Sequence, residues 1–490
     1  MASKTSLTNY TSDPLAAQSA LWCDRYALTM AQALFTSGRH NARATFHAFS
    51  RKNPFRGGYI VTGGQNIVFE WLERHWKFDA QDIELLRHAS EFTPDFLKML
   101  ETSKLELSID AMPEGEIAFP DEPVYRVEGP LWQCLMIEGG LLNALNSQSL
   151  FATLASRLVE VAEGAPILEF GVRRAQGLGG LEASRGAWLG GVAATSNMLA
   201  EKHYGIPSSG TFAHAYVMAY EDEVQAFRDY ASAMPHSGVF LVDTYDTLRG
   251  VKNAIEACRK HKVDLKGIRL DSGDLTYLSK QARKLLDDAG FKDAKIIASN
   301  DLDEETIDSI HDEGGQIDVW GVGTNLVTAK AQPALGAVYK MGEIEGRDVI
   351  KLSDQVGKIT IPGRLDVIRY LTPDGKQFSG DTIVRASDGM VRDGKLVQHV
   401  RSARRDQSTF GRLFQAGTLA YQPLQPAFCN GKRVAPYETI HEARDRAKLS
   451  LSRLDSAHRR LKNPHAYIVG LEQTLSDERN AMISRLRGDK

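Results

Sequence analysis

Four short segments of this chain carry side chains whose types and spacing suit work on phosphate and sugar. The first is Arg269-Leu270-Asp271-Ser272-Gly273-Asp274. In an extended strand Arg269 and Asp271 project to one side and Leu270 to the other. Arginine matches a phosphate or carboxylate, and aspartate suits ribose hydroxyls or a hydrated Mg2+; a plain salt bridge between the two is the alternative. The second, Asp243-Thr244-Tyr245-Asp246, offers carboxylates that either meet a ligand or cap the next helix. The third, Gly210-Thr211-Phe212-Ala213-His214-Ala215-Tyr216, sets a histidine near a glycine that lets a ligand approach the backbone. Histidine changes charge near neutral pH and can act as base, metal ligand or phosphoryl acceptor; a satisfied loop histidine is the other reading. Because Tyr204-Gly205-Ile206-Pro207 reads as an apolar run closed by turn formers, His214 is expected just past a strand end. The fourth, Gly321-Val322-Gly323-Thr324-Asn325, presents unobstructed backbone N–H groups before a helix start, as a phosphate cradle does.

The elements that must position these residues follow from periodicity. Short apolar runs at Ile167-Leu168, Val239–Val242, Ile268–Leu270, Ile296–Ala298 and Val319-Trp320 each lead into polar or glycine residues and then, usually, a helix. Leu248, Val251, Ile255 and Cys258 share one helical face, as do Leu275, Leu278, Ala282 and Leu285. Gly290 fits a helix C-terminus, and Asp303 fits an N-cap. Strand and helix alternating in this way predict parallel strands with right-handed crossovers. Five strand ends loaded with polar residues favour a β/α barrel, whose strand C-termini converge on one site. Before it, Leu21–Phe35 reads as a helix, Ala44–Phe49, Leu105–Ile109 and Val124–Val127 as strands, and Leu131–Ala144 as a helix. Beyond Met341 the chain reads as irregular, with a loop excursion over Lys351–Gly363, until one long amphipathic helix from Ile440 to Leu461. Thr439 and Glu442 are spaced as its capping box.

The expected domains are an N-terminal α+β domain over residues 1–150, an α/β barrel over 151–390, and a C-terminal region over 391–490 that packs on the core. A chain of 490 residues exceeds one ordinary core. Its net charge of −3 gives no global field for nucleic acid, so any anion site must be built locally. The four cysteines, Cys23, Cys134, Cys258 and Cys429, lack paired metal-ligand spacing and read as reduced thiols. Met1–Asp13 is polar, without the apolar stretch of a signal peptide, and no run is long enough to span a bilayer. A soluble, cytoplasmic protein that binds neither nucleic acid nor membrane is expected.

Taken together and in order, these motifs resemble the nicotinate phosphoribosyltransferase family. Glu169–Gly177, the His214 segment, Leu241–Asp246, Ile268–Asp274, Ala298–Asp301 and Gly321–Asn325 carry the resemblance. Asp24-Arg25-Tyr26, Phe46–Gly64 and Asn463–Tyr467 extend it over nearly the whole chain. The resemblance implies synthesis of nicotinate mononucleotide from nicotinate and phosphoribosyl pyrophosphate, coupled to ATP hydrolysis with Mg2+, in NAD salvage. It implies a sandwich-like α+β domain with an irregular TIM-like α/β barrel, in a homodimer with active sites at the interface. It makes His214 the residue phosphorylated by ATP, Phe170 the ring that stacks on the pyridine, and Tyr26 the aromatic that a partner subunit lays on the other face. Arg173, Asp243, Arg269 and Asp271 surround the phosphoribosyl group and base, with Thr211 beside them. Asn300, Asp301, Gly323 and Thr324 hold ribose and 5′-phosphate. At Gly190-Gly191-Val192-Ala193-Ala194, nicotinamide-using relatives carry an aspartate where Ala193 stands, which favours a carboxylate ligand. Asn300 stands where a glycine is expected, in a turn that asparagine tolerates at positive φ. Nicotinamide, or quinolinate with decarboxylation, is the competing base, and an inactive barrel serving as a binding scaffold is the competing class.

Overall fold

The computed structural model describes residues 19–488 except 90, 262, 388 and 405–411; the reading of Met1–Asp13 lies outside them. The chain is mixed α/β and divides into two compact units. One comprises residues up to Leu150 together with those from Ala334 onward, and the other spans Phe151–Pro333. Among the described residues no helix is long and apolar enough to cross a membrane.

The second unit is the irregular barrel. Its strands are β1 (Ile167–Glu169), β2 (Ala194–Thr195), β3 (Val239–Leu241), β4 (Gly267–Leu270), β5 (Lys295–Ser299) and β6 (Val319–Val322). They form one sheet in the order β2-β1-β6-β5-β4-β3, every pair parallel. The last strand returns to lie beside the first, so the ring closes at the β1–β6 seam and is interrupted between β2 and β3. All five apolar runs are strands; β2 was not expected, because two residues carry no periodicity. Helices Thr247–His261 and Leu275–Asp288 form where predicted, with Val251, Ile255, Cys258, Leu275 and Ala282 buried. Gly250 lets the first of them lie on β3, since a Cβ there would come within 1.9 Å of the Val242 carbonyl oxygen. Gly290 adopts φ 89° just past the end of the second. The Asp303 carboxylate accepts from the Thr306 N–H at 2.9 Å, as an N-cap does.

The interruption is filled by the segment that carries His214. The run Tyr204–Pro207 is not a strand: Tyr204 ends the helix Met198–Tyr204, and Gly205 terminates it at φ 67°. A single parallel bridge, Thr195 to Ser208, is all that remains of a strand there. His214 instead opens a short helix, His214–Met218.

The other unit contains a seven-stranded sheet in which Arg43–Ser50 pairs antiparallel with both Tyr125–Pro130 and Ala337–Ile344. The chain from Ala334 on therefore departs from the expected barrel, which was drawn to residue 390. Nor is the region after Met341 irregular. Leu365–Leu371 and Phe378–Arg385 are central strands of a six-stranded sheet. Buried on both faces, they lack the alternation by which a half-exposed strand is recognised. One face of Leu365–Leu371 places Ile368 and Tyr370 in an apolar core. On the other, the fully buried Arg369 meets Asp381 at 2.7 Å, Glu116 at 3.0 Å and Glu122 at 3.4 Å. Residues 349–364 hold only a short 3-10 turn, in keeping with the expected loop. The C-terminal helix has the predicted capping box at Thr439 and Glu442 but ends at Arg453 rather than Leu461. Leu454 is extended, and the Asp455 side chain caps a new short helix, Ser456–Arg459.

Candidate active site

The ends of β3 and β4 bring the charged residues together. Asp243 follows β3, and its Oδ2 accepts the Asp271 N–H at 3.0 Å and the Ser272 hydroxyl at 2.6 Å. The side chain is 1% exposed, and its Oδ1 is buried without a partner. Such an atom is costly unless something occupies the space it faces. Asp246 instead caps the following helix, accepting the Arg249 N–H at 2.8 Å. The two readings of this motif therefore hold for different carboxylates. The neighbouring motif divides in the same way: Asp274 caps its helix at Tyr277, and Asp271 turns inward.

Arg269 and Asp271 are joined at 2.8 Å, the salt bridge held open as an alternative. The bridge does not exhaust either group. Arg269 also donates from Nε to Ser299 Oγ at 2.7 Å and from a terminal nitrogen to Thr211 Oγ1 at 3.2 Å. Its guanidinium lies 5.6 Å from the centre of the Phe170 ring. Ser299 in turn donates to Asp271 at 2.5 Å. Arg269 thus ties β4 to β5, to the His214 segment and to the aromatic ring after β1.

His214 stands in the β2–β3 interruption, its side chain 39% exposed. Nδ1 is 3.2 Å from Thr244 Oγ1. Nε2 lies 3.9 Å from Asp243 Oδ1 and 3.7 Å from Asp271 Oδ2. The segment is anchored by Phe212, whose buried ring packs against Tyr230, Tyr216, Phe227 and Phe240. With one arginine and two aspartates, the cluster favours an anionic polyphosphate only when a cation accompanies it. A hydrated Mg2+ beside Asp243 and Asp271 fits the unpartnered Oδ1. Among the described residues no group of three or more His, Cys, Asp or Glu side chains could hold a metal, so phosphate oxygens and water would supply most of its ligands.

Phe170 is half-buried and follows Glu169, a fully buried carboxylate. Glu169 accepts from the Gly171 N–H, from Ser184 Oγ at 2.7 Å and from Thr195 Oγ1 at 2.5 Å. It staples the end of β1 to β2 and to the helix Gly179–Gly190, which fixes the turn that carries Phe170. The ring lies on Gly321, where a Cβ would come within 2.7 Å of its Cδ2. Glycine at 321 therefore permits this close approach.

Asn300 and Asp301 follow β5 as exposed residues with φ 156° and 20°. Asn300 thus holds a positive φ, though not in the left-handed helical region that asparagine favours. Gly323 and Thr324 begin the four-residue helix Thr324–Val327, half-buried. The Asn325 amide donates to the carbonyls of Asp301 and Leu302 at 3.0 and 2.8 Å and binds the two loops together. Arg173 is exposed on the turn Val172–Arg174 and lies outside the bonded cluster. Tyr26 belongs to the other unit, exposed on the helix Arg25–Thr36. Partial burial, followed by the nearby Glu138 carboxylate, pushes its hydroxyl up to about 12.

Ala193 does not stand at the strand end. It precedes β2, and its N–H donates to Ile167 at the start of β1. The residue that extends the β1–β2 ladder alongside Phe170 is Ser196, whose N–H donates to the Glu169 carbonyl and whose buried hydroxyl lacks a partner. Sequence reasoning missed Ser196, together with Thr244, Ser272 and Ser299. The polar run Thr195-Ser196-Asn197 was the available signal for Ser196, and Thr244 and Ser272 lay inside motifs already singled out.

The nicotinate phosphoribosyltransferase family model matches residues 166–399, its N-terminal domain model residues 21–146 and its C-terminal domain model residues 364–479. The chain is 42% identical over 462 residues to a Bacillus subtilis nicotinate phosphoribosyltransferase, covering 93% of each. It is 35% identical to one from Dictyostelium discoideum, covering 93% of this chain and 87% of the relative. The crystal structure of human nicotinic acid phosphoribosyltransferase superposes with a TM-score of 0.80 at 28% identity, covering 94% of this chain and 99% of the human one. A nicotinate-nucleotide pyrophosphorylase from Pyrococcus furiosus shares the fold, with a TM-score of 0.69 at 23% identity over 90% of this chain and 97% of its own.

Proposed function

The chain belongs to the nicotinate phosphoribosyltransferase family, and on that basis we propose that it joins nicotinate to phosphoribosyl pyrophosphate for NAD salvage, with ATP spent through His214. The observation that carries this reading is the meeting of His214, Asp243, Arg269 and Asp271 at adjacent strand ends, beside the Phe170 ring.

In the transfer, the bond from the anomeric carbon to pyrophosphate breaks, and a bond from that carbon to the pyridine nitrogen forms. An oxocarbenium-like centre needs positioned charge more than a nucleophile on the protein. Asp271 and Asp243 orient ribose and stabilise developing positive charge. Phe170 offers a flat face to the pyridine, worth about 0.5–1.5 kcal/mol beyond area burial. Arg269, already over that ring, supplies a cation for the nicotinate carboxylate, and Ser196 supplies a hydroxyl at the same strand end. Asn300, Asp301, Gly323 and Thr324 receive the ribose and 5′-phosphate. Mg2+ supplies charge neutralisation for pyrophosphate when bound. In the coupled step a ring nitrogen of His214 bonds to the γ-phosphorus of ATP as the bond to ADP breaks, and water later returns the group as phosphate.

A homodimer in which a second copy contributes Tyr26 completes the proposal. Its support is a rim of exposed Val172, Leu178, Met198, Met218, Tyr245 and Tyr277, all in segments that follow strand ends. The test is side-by-side turnover of nicotinate, nicotinamide and quinolinate with phosphoribosyl pyrophosphate, with and without ATP. Nicotinate mononucleotide as the preferred product, in higher yield with ATP, is the expected result. Preference for nicotinamide or quinolinate overturns the choice of base, and substrate binding without turnover of any pyridine points to a scaffold.

A further inference from the structure

Two consecutive residues at the end of β3 touch opposite edges of one imidazole. Asp243 faces Nε2 at 3.9 Å, and Thr244 meets Nδ1 at 3.2 Å. Asp271, from the next strand, also faces Nε2, at 3.7 Å. Asp243 cannot swing away, because its other oxygen is held by the Asp271 N–H and the Ser272 hydroxyl. Thr244 is the hydroxyl placed to bond Nδ1. Among the described residues no other hydrogen bond fixes the rotation of the ring about χ2, a torsion that is broad and roughly two-fold for histidine. A half-turn would put Cε1 and Cδ2 where Nε2 and Nδ1 now stand, and turn carbon atoms toward the carboxylates and the hydroxyl.

We propose that Thr244 is a positioning residue: its hydroxyl fixes the rotation of His214, so that Nε2 faces the carboxylate pair and Nδ1 the hydroxyl. The inference rests on His214 being the phosphoryl acceptor. Thr244 acts through the ring.

Thr244→Val keeps the shape of the side chain and removes the donor, while Thr244→Ser keeps the donor and removes a methyl. The two variants and the native protein, with 15N-labelled histidine, are compared for imidazole nitrogen shifts and for the rate of labelling by γ-labelled ATP with Mg2+. The expected result is a change in the imidazole nitrogen shifts in Thr244→Val with labelling slowed on the order of tenfold or more. Nicotinate affinity should hold within about twofold, because the base site lies on Phe170. Thr244→Ser should restore both the native shifts and the native rate. Equal labelling of native and Thr244→Val proteins overturns the role of Thr244 alone, as does failure of Thr244→Ser to recover. An unlabelled native protein overturns the phosphohistidine reading and this inference with it.

Discussion

At the scale of single residues, the site is built from side chains that share their bonds. Arg269 is the hub, tied to Asp271, Ser299 and Thr211 and resting over Phe170. These partners come from three strand ends and the His214 segment, which is why residue types at strand spacing could nominate Arg269 and Asp271 but could not show what held them. The same limit applied to the acidic motifs. Each contains one carboxylate that caps a helix and one that turns into the site, and only the fold separates Asp243 from Asp246. Ala193, read as bearing on the choice of base, precedes β2 and Ser196 follows it, an order that so short a strand does not reveal from sequence. Gly321 gives a direct test of the base site. Gly321→Ala places a methyl against the Phe170 ring and should displace it. Overpacking of this kind costs about 1–3 kcal/mol, so the nicotinate KM should rise at least about fivefold. The KM for phosphoribosyl pyrophosphate should move much less; steady-state kinetics with each substrate varied in turn decides it.

At the scale of elements, the barrel strands and their helices followed from periodicity, as did Ala44–Phe49 and Val124–Val127 in the first unit, whereas the strands after Met341 did not. Strands such as Leu365–Leu371 bury both faces, so charged residues there are hidden in the core and disguise the pattern. Arg369 is the clearest case. Replacing it with leucine strands Asp381, Glu116 and Glu122 in the interior, and breaking a buried pair costs about 3–5 kcal/mol. Urea unfolding of Arg369→Leu should show that loss, and an unchanged midpoint would contradict it. His47 makes a pH prediction in the same unit. It is fully buried and accepts the Leu365 N–H at 3.1 Å. Burial, with Arg126 and Arg364 nearby, lowers its pKa from 6.5 to about 3. The folded state therefore binds this proton less readily than the unfolded chain. Its contribution is complete above pH 6.5 and declines as pH falls from there toward about 3. The slope is about 1.4 kcal/mol per pH unit inside that window. His47→Gln retains an acceptor but cannot titrate, so its stability should fall less steeply between pH 6 and 4, as read from unfolding midpoints at each pH.

At the scale of the whole molecule, the barrel was legible because its strands are sequential, and the first unit was not because its strands lie far apart in the chain. Arg43–Ser50 finds a partner at Ala337–Ile344, a pairing that no local pattern announces. The exposed apolar rim of the barrel and the exposed Tyr26 belong to the proposed homodimer. If Tyr26 serves a neighbour's site, the inactive variants Tyr26→Ala and His214→Ala should complement when co-expressed. Random pairing in a two-fold dimer leaves about a quarter of all sites with both residues intact, so activity near that fraction is expected. Activity no higher than either variant alone would place Tyr26 in its own subunit's site or outside any site. The central claim is that ATP acts through His214 to drive nicotinate mononucleotide synthesis, and the direct measurement is to incubate the protein with γ-labelled ATP and Mg2+. An acid-labile, base-stable label on the peptide containing His214, absent from His214→Ala, is the predicted result. ATP-stimulated synthesis by a protein that never carries that label would contradict it.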